Sequence, residues 1–357
     1  MSIERYFSPD YATARARFRH AAHGAGAELD EIFIEAQGPN AEPLATDIAW
    51  LGADEPRRVF LHTTGLHGVE AFTGSAVQLA LLDAQPARGP DDALVLVHVL
   101  NPYGMAWLRR ANEHNVDLNR NFLLNGEPFT GAPALYRALD PLLNPPSPPS
   151  RDGFALRAAA TALRYGFHRV KQAIAEGQYE FPRGLFFGGD ALQQGPERYA
   201  AWLRHHLAGA QYVCALDLHT GLGKSGTDTL VREQHSVTSD AALAQALSRT
   251  FVDVTRASVA YTVRGALGSA MFGVLAGSRI DCVLQEIGTY PPINVLHALR
   301  EENRWHFFGD GSIVHAAKQR MREALCPASV AWRRRAVMLG LEVAQSAARW
   351  TFGQGGG

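Results

Sequence analysis

Four stretches of this chain are near-continuous apolar runs of strand length: RRVFLHTTG (57–65), ALVLVHVLNPYG (93–104), AQYVCALDLHTG (210–221) and SRIDCVLQEIGTY (278–290). A strand with one wet face alternates apolar and polar residues, so a run without alternation needs cover on both faces. The segments VEAFTGSAVQLALLDAQ, PERYAAWLRHHLAG and PINVLHALREENRWHFFGDG, with helical spacing, can supply that cover. The alternation predicts an α/β fold, a mostly parallel or mixed twisted sheet with helices on both faces. Residues 11–28 read as an amphipathic helix, and DEIFIEAQG begins a β pattern.

A chain of 357 residues has ample material for one large core, and a single α/β domain is expected over 1–327. NPPSPPSRDG (144–153) is too proline-rich for helix or strand and opens a helical insertion over about 144–183. VAYTVRGALGS (259–269) reads as a surface loop, 328–352 as a C-terminal helix and 353–357 as a flexible tail.

Charge removes several function classes. A formal net charge of −1 provides no field for nucleic acid or an anionic membrane. The Arg333–Arg335 run is read as a solvated helix face. Cys214, Cys282 and Cys326 are far apart in apolar or helical settings and read as small buried hydrophobes, not as a disulfide framework. MSIERYFSPDYATARARF holds no apolar leader core, and no run approaches 18 apolar residues. These features lead us to expect a soluble, cytoplasmic protein that binds a small substrate; a homo-oligomer stays open.

Within HTTGLHGVEAFTGSA, His67 and Glu70 stand three apart in a Gly-flanked turn. Taken alone, the pair is better explained by helix capping than by a metal. In an open α/β sheet, however, ligands gather beyond the carboxyl ends of the strands. His67 and Glu70 follow the first run. Asp217 and His219 end the third, two apart, so an extended backbone directs both to one side. Glu286 ends the fourth. Capping does not predict that convergence. A catalytic zinc site takes three His or Glu ligands and keeps a position for water, and His67, Glu70 and His219 supply such a set. Glu286, in CVLQEIG, suits a general base whose pKa burial would raise. NPYGMAWLRRANEHNVDLNRNF (101–122) adds arginines whose planar forks match a carboxylate, although a surface ion-pair loop explains it as well.

GLHGVE, NPYG, VDLNRNF, LDLHTG and QEIG, in that order, resemble the zinc carboxypeptidase superfamily over roughly residues 55–310. That superfamily also holds murein-peptide amidases and the succinylglutamate desuccinylase and aspartoacylase branch. The likeness is nearest to a bacterial branch known only as a domain of unknown function. The resemblance implies one zinc ion per chain on His67, Glu70 and His219, with Glu286 as general base. It implies Asn119 and Arg120 as binders of a substrate carboxylate and Arg110 as the oxyanion partner, with Arg109 as rival. Asp117 would orient a ligand histidine, and Tyr261 would take the place of the family's mobile tyrosine.

NPYG stands where the family usually has Asn-Pro-Asp-Gly, and the 144–183 insertion has no counterpart in simple carboxypeptidases. FPRGLFFGGD (181–190) is placed to shape the floor of the pocket. His62 and His98 sit within strand runs as packing histidines, while His114, His205 and His206 are rival ligands. The expected function is zinc-dependent hydrolysis of an amide bond next to a free carboxylate, on a small peptide or, alternatively, an N-acyl amino acid. A binding protein on the same scaffold would have lost a ligand or the base, and none is lost. A serine hydrolase would need a G-x-S-x-G elbow, which the sequence lacks.

Overall fold

The computed structural model describes residues 3–124, 126–251 and 263–354. Its strands are β1 (Glu28–Gln37), β2 (Pro43–Gly52), β3 (Arg58–Thr64), β4 (Asp92–His98), β5 (Tyr212–Gly221), β6 (Asp228–Arg232) and β7 (Arg279–Gly288). They form one sheet in the order β1-β2-β4-β3-β5-β7-β6. β4, β3, β5 and β7 run parallel, and β1, β2 and β6 pair antiparallel at the two sides. The sheet is therefore mixed, with the four apolar runs at its parallel centre.

Double cover explains those runs. Val59 and Leu61 of β3 pack with Tyr199, Leu203 and Met271, whereas Phe60 packs with Phe18, Leu81 and Val343. Helices Gln194–Leu207 and Leu267–Val274 thus lie on one face, and Tyr11–Gly24, Ala71–Ala84 and Val330–Phe352 on the other. Because successive side chains alternate across a strand, each central strand feeds both cores.

Several boundaries differ from the sequence reading. The first helix stops at Gly24, not at 28. β2 was not isolated from sequence because Asp47 interrupts its apolar pattern; Arg15 and Arg19 neutralise that carboxylate. The five-residue β6 is too short to carry a periodic signal. The insertion's periodic segment is two helices, Phe154–Tyr165 and Phe167–Ala175, broken at Gly166, whose φ of +87° suits glycine. Leu267–Ser269, expected as loop, begins the helix Leu267–Val274, while 259–262 lie outside the described residues. All three cysteines are buried and unpaired. Among the described residues, no helix is long and apolar enough to cross a membrane.

Parallel strands place their carboxyl ends on one rim. The turn after β3, the 101–122 segment after β4, and the last residues of β5 and β7 all meet there.

Candidate metal centre and cleft

Two side chains of the first turn are freed from capping. His67 precedes the short 3-10 turn Gly68–Glu70, Glu70 precedes helix Ala71–Ala84, and neither side chain caps either element. The turn is pressed against the segment after β4, where a Cβ on Gly68 would come within 2.1 Å of the Gly104 backbone. Glycine at 68 is therefore a packing requirement that fixes the direction of His67.

His67, Glu70 and His219 each offer a ligand atom, all within 4.8 Å of one another, and all three residues are buried. His67 Nδ1 lies 3.0 Å from Glu70 Oε1 and 3.1 Å from His219 Nδ1. His219 Nδ1 lies 3.3 Å from Glu70 Oε2. The far nitrogen of each imidazole faces a carboxylate: His67 Nε2 to Asp117 Oδ1 at 3.2 Å, and His219 Nε2 to Asp217 Oδ2 at 2.7 Å. A proton held on each Nε2 by its aspartate leaves both Nδ1 lone pairs aimed at one point beside Glu70. That donor set fits a divalent cation.

Arg110 Nη2 also approaches His67 Nε2 to 2.6 Å. A guanidinium only donates, so this contact needs a bare Nε2, whereas the Asp117 contact needs a protonated one. The two are alternatives, and a cation at Nδ1 selects the second. Arg110 otherwise donates to Asp117 at 3.0 Å and to Glu70 at 3.3 Å.

Electrostatics separates the carboxylates. Burial alone would raise the pKa of Glu70, but His67 and His219 hold it well below the usual range. Asp117 is likewise buried, yet Arg110, Arg120 and His67 pull it well down. Burial opposes protonation of His219, and Asp217 and Glu70 outweigh it, raising its pKa. Glu286 behaves oppositely: burial and the nearby Glu70 charge push it up to about 7. Its Oε1 accepts the Leu222 N–H at 2.7 Å.

His67, Glu70, Arg110 and Glu286 face a cleft of about 520 Å³ whose other walls come largely from the insertion and helix Pro292–Phe308. Phe186, from the stretch 181–190, lines it too. A wider groove of about 950 Å³ adjoins it and shares Ala155 and Ile293, but none of His67, Glu70, His219 or Glu286 lines that groove.

The remaining sequence candidates divide. Arg109 is turned away from this cleft, donating to Glu302 at 3.0 Å and to Asn115 at 2.7 Å; the structure does not bring it to the metal-competent cluster. Arg120 is wholly buried and donates from Nε (3.2 Å) and Nη2 (2.5 Å) to the carbonyl of Ala175. Ala175 ends helix Phe167–Ala175, where unpaired carbonyls and the helix dipole attract a cation. Asn119 Oδ1 accepts the Leu267 N–H at 3.1 Å. Neither residue lines the cleft. Tyr261 lies outside the described residues. His62 and His98 are buried in the sheet, His114 Nδ1 meets Gln193 at 2.7 Å, and His206 stacks on Trp202, with His205 edge-on to it. None of these five histidines belongs to the cluster, and all lie among the described residues. Asp217 meets His219 Nε2 and accepts the Thr63 hydroxyl, the latter at 2.7 Å. The two-residue spacing of Asp217 and His219 was the available signal for that pairing.

Comparison with solved structures shows what this architecture is similar to. Bovine thrombin-activatable fibrinolysis inhibitor, solved in complex with tick carboxypeptidase inhibitor, aligns over 97% of both chains with a TM-score of 0.52 at 9% identity. Carboxypeptidase A from Helicoverpa armigera aligns over 95% of this chain and 74% of its own, with a TM-score of 0.45 and 13% identity. Murein-tripeptide amidase from Escherichia coli O157 aligns over 78% of this chain and 92% of its own, with a TM-score of 0.38 and 17% identity. At these identities the likeness is one of fold, and the fold is carboxypeptidase-like. No curated protein matches the sequence. A family model described as "Protein of unknown function (DUF2817)" matches residues 7–339, so the chain belongs to the DUF2817 family.

Proposed function

We propose that the chain is a zinc-dependent hydrolase of an amide bond next to a free carboxylate. One observation carries the reading: His67, Glu70 and His219 bring a ligand atom each to within 4.8 Å of one another, each imidazole backed by its own aspartate, with Glu286, raised to about 7, paired beside His219. Nitrogen and carboxylate donors in a three-ligand set suit zinc with a position left open.

His67, Glu70 and His219 would hold one zinc ion per chain. Bound there, zinc supplies Lewis acidity, polarising a carbonyl and lowering the pKa of water to about 7. Glu286 takes the proton of the attacking water and returns it to the leaving nitrogen, and a carboxyl group raised to about 7 suits both transfers. Arg110, at the cleft wall, faces the charge that develops on the carbonyl oxygen. Asp117 and Asp217 hold the two imidazoles in the ligating tautomer. Asn119 and Arg120 bind the substrate carboxylate only if Arg120 leaves the Ala175 carbonyl. Buried, unpaired cysteines fit a reducing, cytoplasmic setting.

The alternative is an N-acyl-amino-acid deacylase using the same groups. The apolar wall that the insertion adds to the cleft favours it, because a peptide would bring more polar backbone there.

The test is metal content followed by turnover. Protein purified without chelator should carry about one zinc per chain, and a His67→Ala variant almost none. Chelator should abolish hydrolysis of a panel of C-terminal peptides and N-acyl amino acids, and zinc should restore it. Equal metal content in the two proteins would exclude His67 as a ligand.

A further inference from the structure

The 144–183 insertion does more than decorate the sheet. Its two helices form one side of the cleft that contains His67, Glu70 and Glu286. From helix Phe154–Tyr165, Ala158 and Ala162 face the cavity, and from Phe167–Ala175, Val170 and Ile174 do so; Leu296 and Leu299 stand among the facing residues. The alanines matter because they leave width. Phe167 and Ile293 both line this cavity yet remain 56% and 40% exposed. Large apolar side chains left in water around a concave apolar site mark surface that a ligand would cover.

A single ammonium interrupts that wall. Lys171 lines the cavity between Val170 and Ile174, and with Arg110 it is one of two Lys or Arg residues lining it among the described residues. Burial pulls its pKa below the ordinary lysine value. Arg120 locks the insertion in place by donating to the Ala175 carbonyl, and Gly177 lets it pass: a Cβ there would sit 2.7 Å from the Arg120 side chain. The end of the wall is thus tied to the Leu118–Arg120 turn, next to the Asp117 that faces His67.

We infer that the insertion is a specificity subsite for an amphiphilic substrate, an amide bearing a carboxylate for Lys171 and a large apolar group for the Ala158–Ala162–Val170–Ile174 wall. The inference rests on the hydrolase reading for its chemistry and on the cavity for its substrate class. An N-acyl amino acid with a long acyl chain and one with a large apolar side chain share this chemistry.

Two substrate series separate the sources: acetyl, octanoyl and lauroyl glycine, and acetyl derivatives of glycine, leucine and phenylalanine. Burying a methylene favours binding by about fourfold, so with zinc-loaded protein kcat/KM should rise at least tenfold along one series. Ala162→Phe, and independently Ala158→Phe, should erase most of that rise. Lys171→Met should raise KM for the free acid with little change in kcat, and should leave the amide's KM unmoved. Binding of lauroyl glycine and acetyl phenylalanine to chelator-treated protein, read by calorimetry, runs in parallel. Hydrolysis with no dependence on apolar size, and the same profile in both alanine variants, would overturn the subsite and leave the hydrolase reading standing. Metal-independent binding that Ala162→Phe or Ala158→Phe blocks, without turnover of any substrate, would support the subsite and remove the hydrolase reading. A kcat/KM penalty in Lys171→Met that is equal for acid and amide would overturn the role of Lys171.

Discussion

His219 and Glu286 are direct partners in the parallel pairing of β5 with β7, so both side chains leave the sheet on the same side. A histidine that would carry positive charge through a bound metal therefore stands beside the carboxylate proposed to move protons. Parallel registry alone sets that proximity, without any loop geometry. Glu286→Gln preserves size and the acceptor for the Leu222 N–H but cannot take a proton. It should retain one zinc and lose about 10²–10⁴ in kcat, roughly 3–5 kcal/mol of barrier. Near-normal turnover with full metal would place the base elsewhere.

The pH profile follows from the same group. In the proposed reaction Glu286 works as a carboxylate, so activity should fall as pH drops through its pKa. Burial and Glu70 raise that pKa to about 7, and a bound cation would offset the Glu70 part. The acid limb of kcat/KM should lie between the ordinary glutamate value and about 7, and it should vanish from the residual activity of Glu286→Gln. An identical acid limb in the variant would assign it to another group.

Asp217 yields a prediction about metal affinity. Because it holds His219 Nε2, Asp217→Asn should weaken zinc binding about 10–100-fold while leaving Glu286 in place. Competition with a chromophoric chelator measures this directly. A variant that binds zinc as tightly as wild type but turns over poorly would instead give Asp217 a part in proton transfer.

The metal-competent cluster and Glu286 were legible because strand ends are legible: His67, Glu70, His219 and Glu286 each sit at or just after the end of an apolar run. What the side chains do one step farther out was not. The sequence presents Arg120 in VDLNRNF but gives no sign that the carbonyl of Ala175, some fifty residues later, would take its donors. Arg109 and Arg110 are adjacent and equivalent in sequence, yet backbone geometry turns one to Glu302 and the other to the cleft. β2 was hidden for a related reason, since Asp47 looks solvent-facing until Arg15 and Arg19 are seen to cover it. Lys171 and Phe186 reach the cleft through the packing of the insertion, which no local periodicity encodes.

Arg120 can be tested as an anchor or as a helix-end brace. As a brace, Arg120→Met should destabilise the fold, since it strips a hydrogen-bond partner from a buried carbonyl, a loss of about 1–3 kcal/mol. It should then depress turnover of a free-acid substrate and its amide by the same factor. A penalty confined to the free acid would make Arg120 the carboxylate anchor after all, with Lys171 demoted to a wall residue.

The buried histidines give a pH dependence of stability that is independent of the cleft. His62 and His98 are fully buried, and desolvation lowers their pKa values to about 4 and about 3. Unfolded, both would titrate near 6.5. Between those values the unfolded chain binds more protons than the folded one, so stability is fully present above about pH 6.5 and is lost as pH falls. Each histidine contributes a slope of about 1.4 kcal/mol per pH unit, and His62 alone accounts for roughly 3 kcal/mol by pH 4. Gln78 donates to the backbone carbonyls of His62 and Val97 as well as facing His62 Nδ1, so His62→Leu leaves its amide group two acceptors. Urea unfolding of chelator-treated protein at pH 7, 6 and 5 should show a shallower loss of stability in His62→Leu than in wild type. The difference between the two curves isolates His62 from the carboxylates, which contribute equally to both. Parallel curves would mean that His62 is protonated, or reached by water, in the folded protein.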